Sequence, residues 1–412
     1  MSKVELLAPA GDMERLEYAA TYGADAVYFG VKNFSLRNFA GNFSIQEAEV
    51  ALNFLHDKGK KGYVTLNIYP YSEEYRELLE VAHNLENVNA DAFIVSDLGV
   101  LHEFKKAGIK TPLHISTQAN TMSSQTIMAY AALGAKRVNL ARELSIQQIA
   151  NIQAAVKGKV ETEVFIHGAV CFSYSGRCAI SDYMTGRKAN RGECTHPCRW
   201  KYAVVEETRP GEYYPVAEDD RGLYIFNNKD LALFPYIKEL TALGVNSFKI
   251  EGRMKTIHYI ATVVSLYRKL IDGEMLSEKE IVDTLAKVSN RGYTLGFMKG
   301  GIESSDYALD DNKPKATTLF VANVIEEKED ACVVRVRNKI KAGDTLEALN
   351  PDGTTKQIKV PTQIKMQDGT TTETVNNEDL VVLNVALKKY SLLRRLLCFA
   401  LCVVQIQILF LI

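Results

Sequence analysis

A short apolar run, a polar turn and an amphipathic stretch recur from Val4 onward. The runs predicted as strands are Val4–Ala8, Ala26–Gly30, Gly62–Ile68, Ala92–Ser96, Leu113–Ser116, Arg137–Ala141, Thr162–Ile166 and Ser247–Ile250. Between them lie stretches with apolar residues at helical spacing, among them Asp12–Tyr22, Ile45–Lys58, Glu73–Leu85 and Ile146–Val156. Ser44 and Ser145 read as helix N-caps, because Glu47 and Gln148 stand three residues on, as in a capping box. Strands that alternate with helices imply parallel pairing, and this number of them predicts closure into a (β/α)8 barrel. An open doubly wound sheet is the alternative; the lack of GxGxxG after the first run counts against it.

The seventh and eighth runs are separated by far more chain than one crossover helix needs. The excess begins at the C-terminal end of the seventh run, the rim where barrel active sites are built. It includes Tyr202–Glu206 and Tyr213–Ala217, which read as a hairpin around Arg209-Pro210-Gly211. After the eighth run come a long helix, Thr256 to Asp272, and a second at Ser277–Val288. The texture then changes to Thr-, Val- and Ile-rich runs: Leu319–Ile325, Cys332–Val336, Gln357–Val360 and Leu380–Val385. The expected organisation is an α/β barrel over 1–311 with a cysteine-bearing insertion at 167–225, then a small all-β domain over 312–395. Residues 396–412 form an apolar tail, LLCFALCVVQIQILFLI, after Lys388, Lys389, Arg394 and Arg395. Two readings of it stay open: a minimal membrane span with a basic flank, or a segment foreign to the fold.

The insertion holds four of the seven cysteines, Cys171, Cys178, Cys194 and Cys198, among Ser, Gly, Arg, Thr and His rather than apolar neighbours. Cys332 on a strand, and Cys398 and Cys402 in the tail, instead read as small buried hydrophobes. An odd cysteine count and an N-terminus without a long apolar run point to a reducing cytoplasm, where clustered thiols bind metal more often than they pair. Four thiolates would hold the polar insertion in shape around a metal or cluster. Only Cys194-Thr195-His196-Pro197-Cys198 is a tight hook, so spacing leaves zinc and iron–sulfur equally open.

The formal net charge is −1 and 24% of residues are charged, which leaves no chain-wide basic field for nucleic acid. DNA binding is not expected, and any RNA contact would be a local patch: Arg187, Lys188, Arg191 and Arg199, with Lys201, run beside the cysteines. At the strand ends stand Asn67, Gln118, Arg142, Glu143, His167, Glu251, Arg253 and Lys255. In a barrel these converge on one mouth. Arg142, Arg253 and Lys255, with Gln118 and Asn67, would bind an anionic small molecule. Glu143, Glu251 and His167 would be the acid–base candidates, each of them weighed against a purely structural ion pair or core role. GxSxG, HExxH and P-loop patterns are absent.

Glu163–Ser181, EVFIHGAVCFSYSGRCAIS, resembles the signature of the collagenase-like bacterial peptidase family (U type). LLAPAGDMERLEYAATYGADAVYFG, STQANT, NLARELS, CTHPCRW and KIEGRMK are similar to its other blocks, and the likeness spans residues 4 to 395. Despite the name, better-understood members are iron–sulfur proteins of dioxygen-independent hydroxylation, acting on tRNA uridine or in ubiquinone biosynthesis. The resemblance implies a barrel with a small C-terminal β domain and a [4Fe–4S] cluster on Cys171, Cys178, Cys194 and Cys198. The chain's length is most like the branch that hydroxylates the wobble uridine of tRNA with prephenate as co-substrate. A dicarboxylate of that kind suits Arg142, Arg253 and Lys255. A peptidase, and a zinc-braced protein without enzymatic activity, are the competing readings. The family pattern ends near LKKYSLLRR, so the apolar tail is outside it.

Overall fold

In the computed structural model the eight expected strands close into one parallel barrel. The structure describes residues 4–397 except 33, 36–41, 172, 174–179, 188–192, 200–203, 206–212, 215–216, 220–221, 225–227, 302–305 and 307–314. The barrel strands are β1 Glu5–Pro9, β2 Ala26–Gly30, β3 Lys61–Leu66, β4 Ala92–Val95, β5 Leu113–Ile115, β6 Ala135–Asn139, β7 Glu161–Gly168 and β8 Ser247–Ile250. Each pairs in parallel with its successor from β1 to β7; β8 then bonds to both β7 and β1, so no edge is left. Strand residues are buried on both faces, all five of β2 for instance, as a helix-covered parallel sheet requires.

The helices that cover the barrel start at a capping side chain, except that Tyr75–Asn87 runs on from a 3-10 turn at Ser72–Glu74. They are α1 Met13–Thr21, α2 Ile45–Asp57, α3 Tyr75–Asn87, α4 Leu98–Lys106, α5 Ser124–Ala132 and α6 Ile146–Val156. Ser44 and Glu47 cap α2 reciprocally, and Ser145 and Gln148 cap α6 in the same way, as the sequence predicted. α2 buries Ala48, Ala51, Leu52 and Leu55, one stripe at three- and four-residue spacing. The leucines contribute roughly 1.5–3 kcal/mol each.

The chain between β7 and β8 contains a short helix, α7 Ile180–Thr185, and the expected hairpin, in which Val204–Val205 pairs antiparallel with Tyr213–Tyr214. A further strand, Asp230–Ala232, returns antiparallel to the end of β7, and Tyr293–Thr294 pairs with it in parallel. α8 Ile237–Leu243 then leads into β8. After β8, α9 Ile257–Ile271 buries every residue from Ile257 to Tyr267, which a helix does only when it is covered on several sides. α10 Glu278–Ala286 follows, capped by Ser277 and Glu280.

Contacts divide the chain into two compact units after Lys315. The second unit is an antiparallel sheet in the order Thr355–Lys359, Thr345–Leu349, Leu392–Leu396, Thr318–Glu327, Cys332–Val336, Leu380–Leu383, Ile364–Met366, Thr371–Thr372. Its long strand Thr318–Glu327 shifts register twice, between Phe320 and Ala322 and between Val324 and Glu326, and such irregularities bend a sheet. Inside lie Val321, Val324, Val334, Val336, Leu346 and Leu393, all fully buried. Leu396 ends the last strand, and the rest of the tail, 398–412, lies outside the described residues. No helix among the described residues is long and apolar enough to cross a membrane.

Candidate active site at the barrel rim

The barrel interior beneath the rim is charged. Glu5 on β1, Arg137 on β6, Glu163 on β7 and Lys249 on β8 all point inward, the last three 5% exposed or less. Arg137 bonds Glu5 at 2.5 Å and Glu161 at 2.6 Å, and lies 3.5 Å from Glu163. Glu163 Oε1 accepts from Lys249 Nζ and from Asn139 Nδ2, both at 2.8 Å. Ser247 Oγ and the Tyr63 hydroxyl donate to Glu5 at 3.0 and 2.6 Å. Burial alone would raise the Glu5 carboxyl, but Arg137 and these hydrogen bonds outweigh it and hold the group below its usual range. His114, edge-on to Tyr63, is pushed well below its ordinary value, first by burial and then by the cations Arg137 and Lys249. Sequence reasoning missed this network. Its signal is a period of two, with Arg137 and Asn139, Glu163 and Phe165, and Ser247 and Lys249 on the same face of their strands.

Above the network the inward rings form a ladder. Lys249 Nζ lies 4.5 Å from the Tyr28 ring centroid and 5.4 Å from that of Phe165. The Arg142 guanidinium lies over Phe165 at 4.0 Å, and its Nη1 donates to Ala169 O at 2.9 Å. The Tyr28 hydroxyl reaches Ile250 O at 3.0 Å and Glu251 Oε2 at 3.2 Å. Glu143 is half-buried, with one carboxylate oxygen unpartnered. Asn67 is buried, its carbonyl accepting from Ser96; Gln118 is half-buried, its carbonyl accepting from the Tyr69 hydroxyl at 2.8 Å.

The loop after β8 crosses the rim because two glycines let it. A Cβ at Gly168, where φ is +111°, would stand 2.5 Å from Glu251 O, and one at Gly11 would stand 2.3 Å from Arg253 O. Arg253 is buried, and its Nη1 donates to Ser35 Oγ at 2.7 Å and Thr65 Oγ1 at 3.2 Å. Lys255 lies 3.9 Å from Asp230, donates to Ser289 O at 3.3 Å and sits 5.0 Å from the Tyr259 ring. The three cations expected at the mouth therefore differ in what they can offer. Arg142 borders an open cleft, whereas Arg253 Nη1 and Lys255 are engaged with protein atoms.

His167 does not follow Phe165 into the barrel. The pairing of β7 with β8 slips between Phe165 and His167, opposite Lys249 and Ile250, and a slip of one residue reverses the face. The ring lies among Tyr259, Tyr267 and Tyr293, with centroids 5.8, 5.4 and 5.5 Å away. The Tyr267 hydroxyl donates to Ile166 O at 3.1 Å, so at 3.2 Å it is the acceptor for His167 Nδ1–H. Nε2 is then an unprotonated acceptor, buried without a partner. Burial, aided by the Lys255 charge, lowers its pKa to about 3, so the imidazole is neutral.

Three of the four insertion cysteines are described. Cys171 is exposed, Cys194 and Cys198 are half-buried, and none is in a disulfide. Cys178 lies outside the described residues, as do Lys188 and Arg191; Arg187 is exposed, and Arg199 closes a short 3-10 turn from Pro197. Among the described residues no group of three or more His, Cys, Asp or Glu is arranged around a metal. The donor chemistry nevertheless suits a soft metal or cluster. The three thiols sit in polar, accessible chain, whereas Cys332 is fully buried on its strand and its thiol is pushed up to about 11.

Comparison with known proteins places this architecture. Residues 11–306 match the family model described as peptidase family U32, and residues 316–394 match that of the peptidase family U32 C-terminal domain. The tRNA hydroxylation protein P of Escherichia coli (strain K12) is 35% identical over 402 residues, covering 86% of this chain and 87% of that protein. The 23S rRNA 5-hydroxycytidine C2501 synthase of the same organism is 33% identical, covering 84% of this chain and 52% of that protein. A protein named collagenase from Porphyromonas gingivalis is 32% identical, covering 72% of this chain and 73% of its own.

Proposed function

The chain belongs to peptidase family U32, and on that premise we propose that it is an RNA-modifying enzyme that hydroxylates a tRNA base, the wobble uridine being the expected target. The observation that carries the reading is the placement of Cys171, Cys194 and Cys198 on the polar segment that leaves β7, whose Ala169 carbonyl accepts from a rim cation, Arg142. The similarity to RNA-hydroxylating relatives across both units of the chain supports it.

Cys171, Cys178, Cys194 and Cys198 would hold a [4Fe–4S] cluster, which supplies one-electron redox chemistry when bound. Prephenate is the proposed co-substrate and the source of the hydroxyl group. Arg142 binds and orients its carboxylate, because stacking on Phe165 and the bond to Ala169 O fix the guanidinium plane. Arg253, through Ser35 and Thr65, ties the loop after β8 to the ends of β2 and β3 and so keeps Glu251 beside Tyr28. Glu251 and Glu143 are the carboxylates at the rim that can take or return a proton. The basic run Arg187, Lys188, Arg191 and Arg199 would meet tRNA phosphates.

Proteolysis is the reading that the collagenase name offers. His167 weighs against it: its Nδ1 is bonded to Tyr267 and its ring lies among tyrosines, and among the described residues no Ser or Cys nucleophile is bonded to it. Purification under anaerobic conditions, followed by iron and zinc quantification, is expected to return iron with the absorption of a cluster. In cells lacking the native gene, the wild-type chain restores the hydroxylated tRNA nucleoside by mass spectrometry and a Cys194→Ala chain does not. Stoichiometric zinc without iron, or peptide cleavage with unmodified tRNA, would overturn the proposal.

A further inference from the structure

Large apolar side chains left in water are unevenly placed on the barrel unit. Six stand on segments that leave the C-terminal ends of strands: Tyr71 after β3, Leu98 after β4, Met122 after β5, Tyr183 and Met184 after β7, and Met254 after β8. Val50 and Met128 lie on helices, and Met275 lies between α9 and α10. Among the described residues, the turns that lead into β2 to β8 at the other end carry none. Scattered exposed apolar residues are ordinary, but a collar of them at one end of a barrel marks an interaction surface.

Exposure, shape and charge together say what covers it. Tyr183 on α7 is the most exposed of the six, at 89%, with Met184 next to it in the chain. Arg187, four residues on, is exposed as well. Between Ile180 and Lys201 five residues are basic and two are acidic. An open ring with a cation close by in the chain suits an unpaired nucleotide, whose base is an uncharged π face and whose phosphate is an anion. A duplex offers such a ring nothing, because its base faces are stacked on one another.

We infer that the collar is a stacking platform for unpaired nucleotides, with a base on the Tyr183 ring and a phosphate on Arg187. The inference deepens the proposed function and rests on it for the polymer being RNA; the platform itself is assigned from exposure and charge. So open a ring cannot shield a reacting base from water, so Tyr183 holds a neighbour of the target base and not the target.

The test is fluorescence anisotropy on the full chain purified without oxygen. Its probes are a labelled single-stranded RNA dodecamer of mixed sequence and the duplex formed with the complementary strand. The single strand should bind more tightly than the duplex. Tyr183→Ala should weaken strand binding about tenfold, and Tyr183→Phe, which keeps the ring, should not. The dependence of affinity on salt should be unchanged in Tyr183→Ala and shallower in Arg187→Ala, since only the second loses a phosphate contact. Met275→Ala, an exposed apolar side chain off the rim, should bind as the wild type does. Equal affinity for strand and duplex, wild-type binding by Tyr183→Ala, or an unchanged salt dependence in Arg187→Ala each removes the assignment. Nucleoside mass spectrometry on tRNA from cells carrying the same chains separates the platform from the enzymatic reading. Strand binding that depends on Tyr183, without any tRNA hydroxylation by the wild type, sinks the enzymatic reading and leaves the platform standing. Hydroxylation at the wild-type rate by the Tyr183→Ala chain sinks the platform.

Discussion

The two interiors of this molecule are filled by opposite means. The lower barrel holds four charged side chains, Glu5, Arg137, Glu163 and Lys249, interlocked with Asn139, Ser247 and Tyr63. The β unit holds Val321, Val324, Val334, Val336, Leu346 and Leu393, and meets charge mainly at its wall, where the fully buried Arg394 pairs with Glu347 at 2.5 Å. An apolar filling gains stability from each methylene removed from water and needs no particular partner. A charged filling gains little net stability but allows essentially one arrangement, because each ion depends on its neighbours to offset the cost of desolvation. A barrel that must present side chains at fixed positions on its rim is well served by the second kind. A unit that needs only to close on itself is served by the first.

The sharpest way to break this contrast is to remove one charge from the barrel. Glu163→Ala leaves Lys249 buried with no carboxylate and takes one from Arg137, so urea unfolding should show a loss of about 3–5 kcal/mol. Glu163→Leu combined with Lys249→Met should recover most of that loss, since an apolar pair of similar volume needs no partner. If the double variant is no more stable than the single one, the network is not the reason for the loss. In the β unit, Leu346→Ala should cost about 2–4 kcal/mol through the cavity it leaves, with no partner substitution able to rescue it by charge.

Acid gives the next largest difference. His167, with its pKa lowered to about 3, and His114, lowered well below 6.5, stay neutral in the fold while the unfolded chain takes up protons near 6.5. Their contribution is therefore intact above about pH 6.5 and is lost as pH falls from there toward 3. The Glu5 carboxyl, held below its ordinary range, adds a second loss with the same sign as pH falls through the carboxylate range. All seven histidines precede Lys315, so the β unit has no counterpart to the first loss. Hydrogen exchange on the barrel and β-unit amides between neutral and mildly acidic pH reads the two separately. A barrel as insensitive to acid as the β unit would refute the burial argument. Last in size is the cap: Ser44→Ala should cost only about 1 kcal/mol, because exposed α2 ends can be solvated by water.

The rim was only partly legible in the chain. The close passage of the loop after β8 over Gly11 and over Gly168, the last residue of β7, was not read from the chain. Arg142 and Glu251 read as rim residues and stand near Phe165 and Tyr28. The direction of His167 was not legible. Alternation from Glu163 and Phe165 places it inside the barrel, and a one-residue slip against β8 turns it toward α9.

What the sequence determined by itself is local and periodic: eight apolar runs, capped helices between them, a polar cysteine-bearing insertion after the seventh, and a second unit of Val- and Thr-rich strands. These follow from side-chain period, capping chemistry and composition, which act over a few residues. The tertiary structure decided the long-range matters. Closure of β8 on β7 put Lys249 against Glu163. The slip in that same pairing chose the face of His167, and the return of the insertion along β7 made a cleft beside Arg142. Each depends on register between segments far apart in the chain, and register is settled only when both faces of a strand have found their partners.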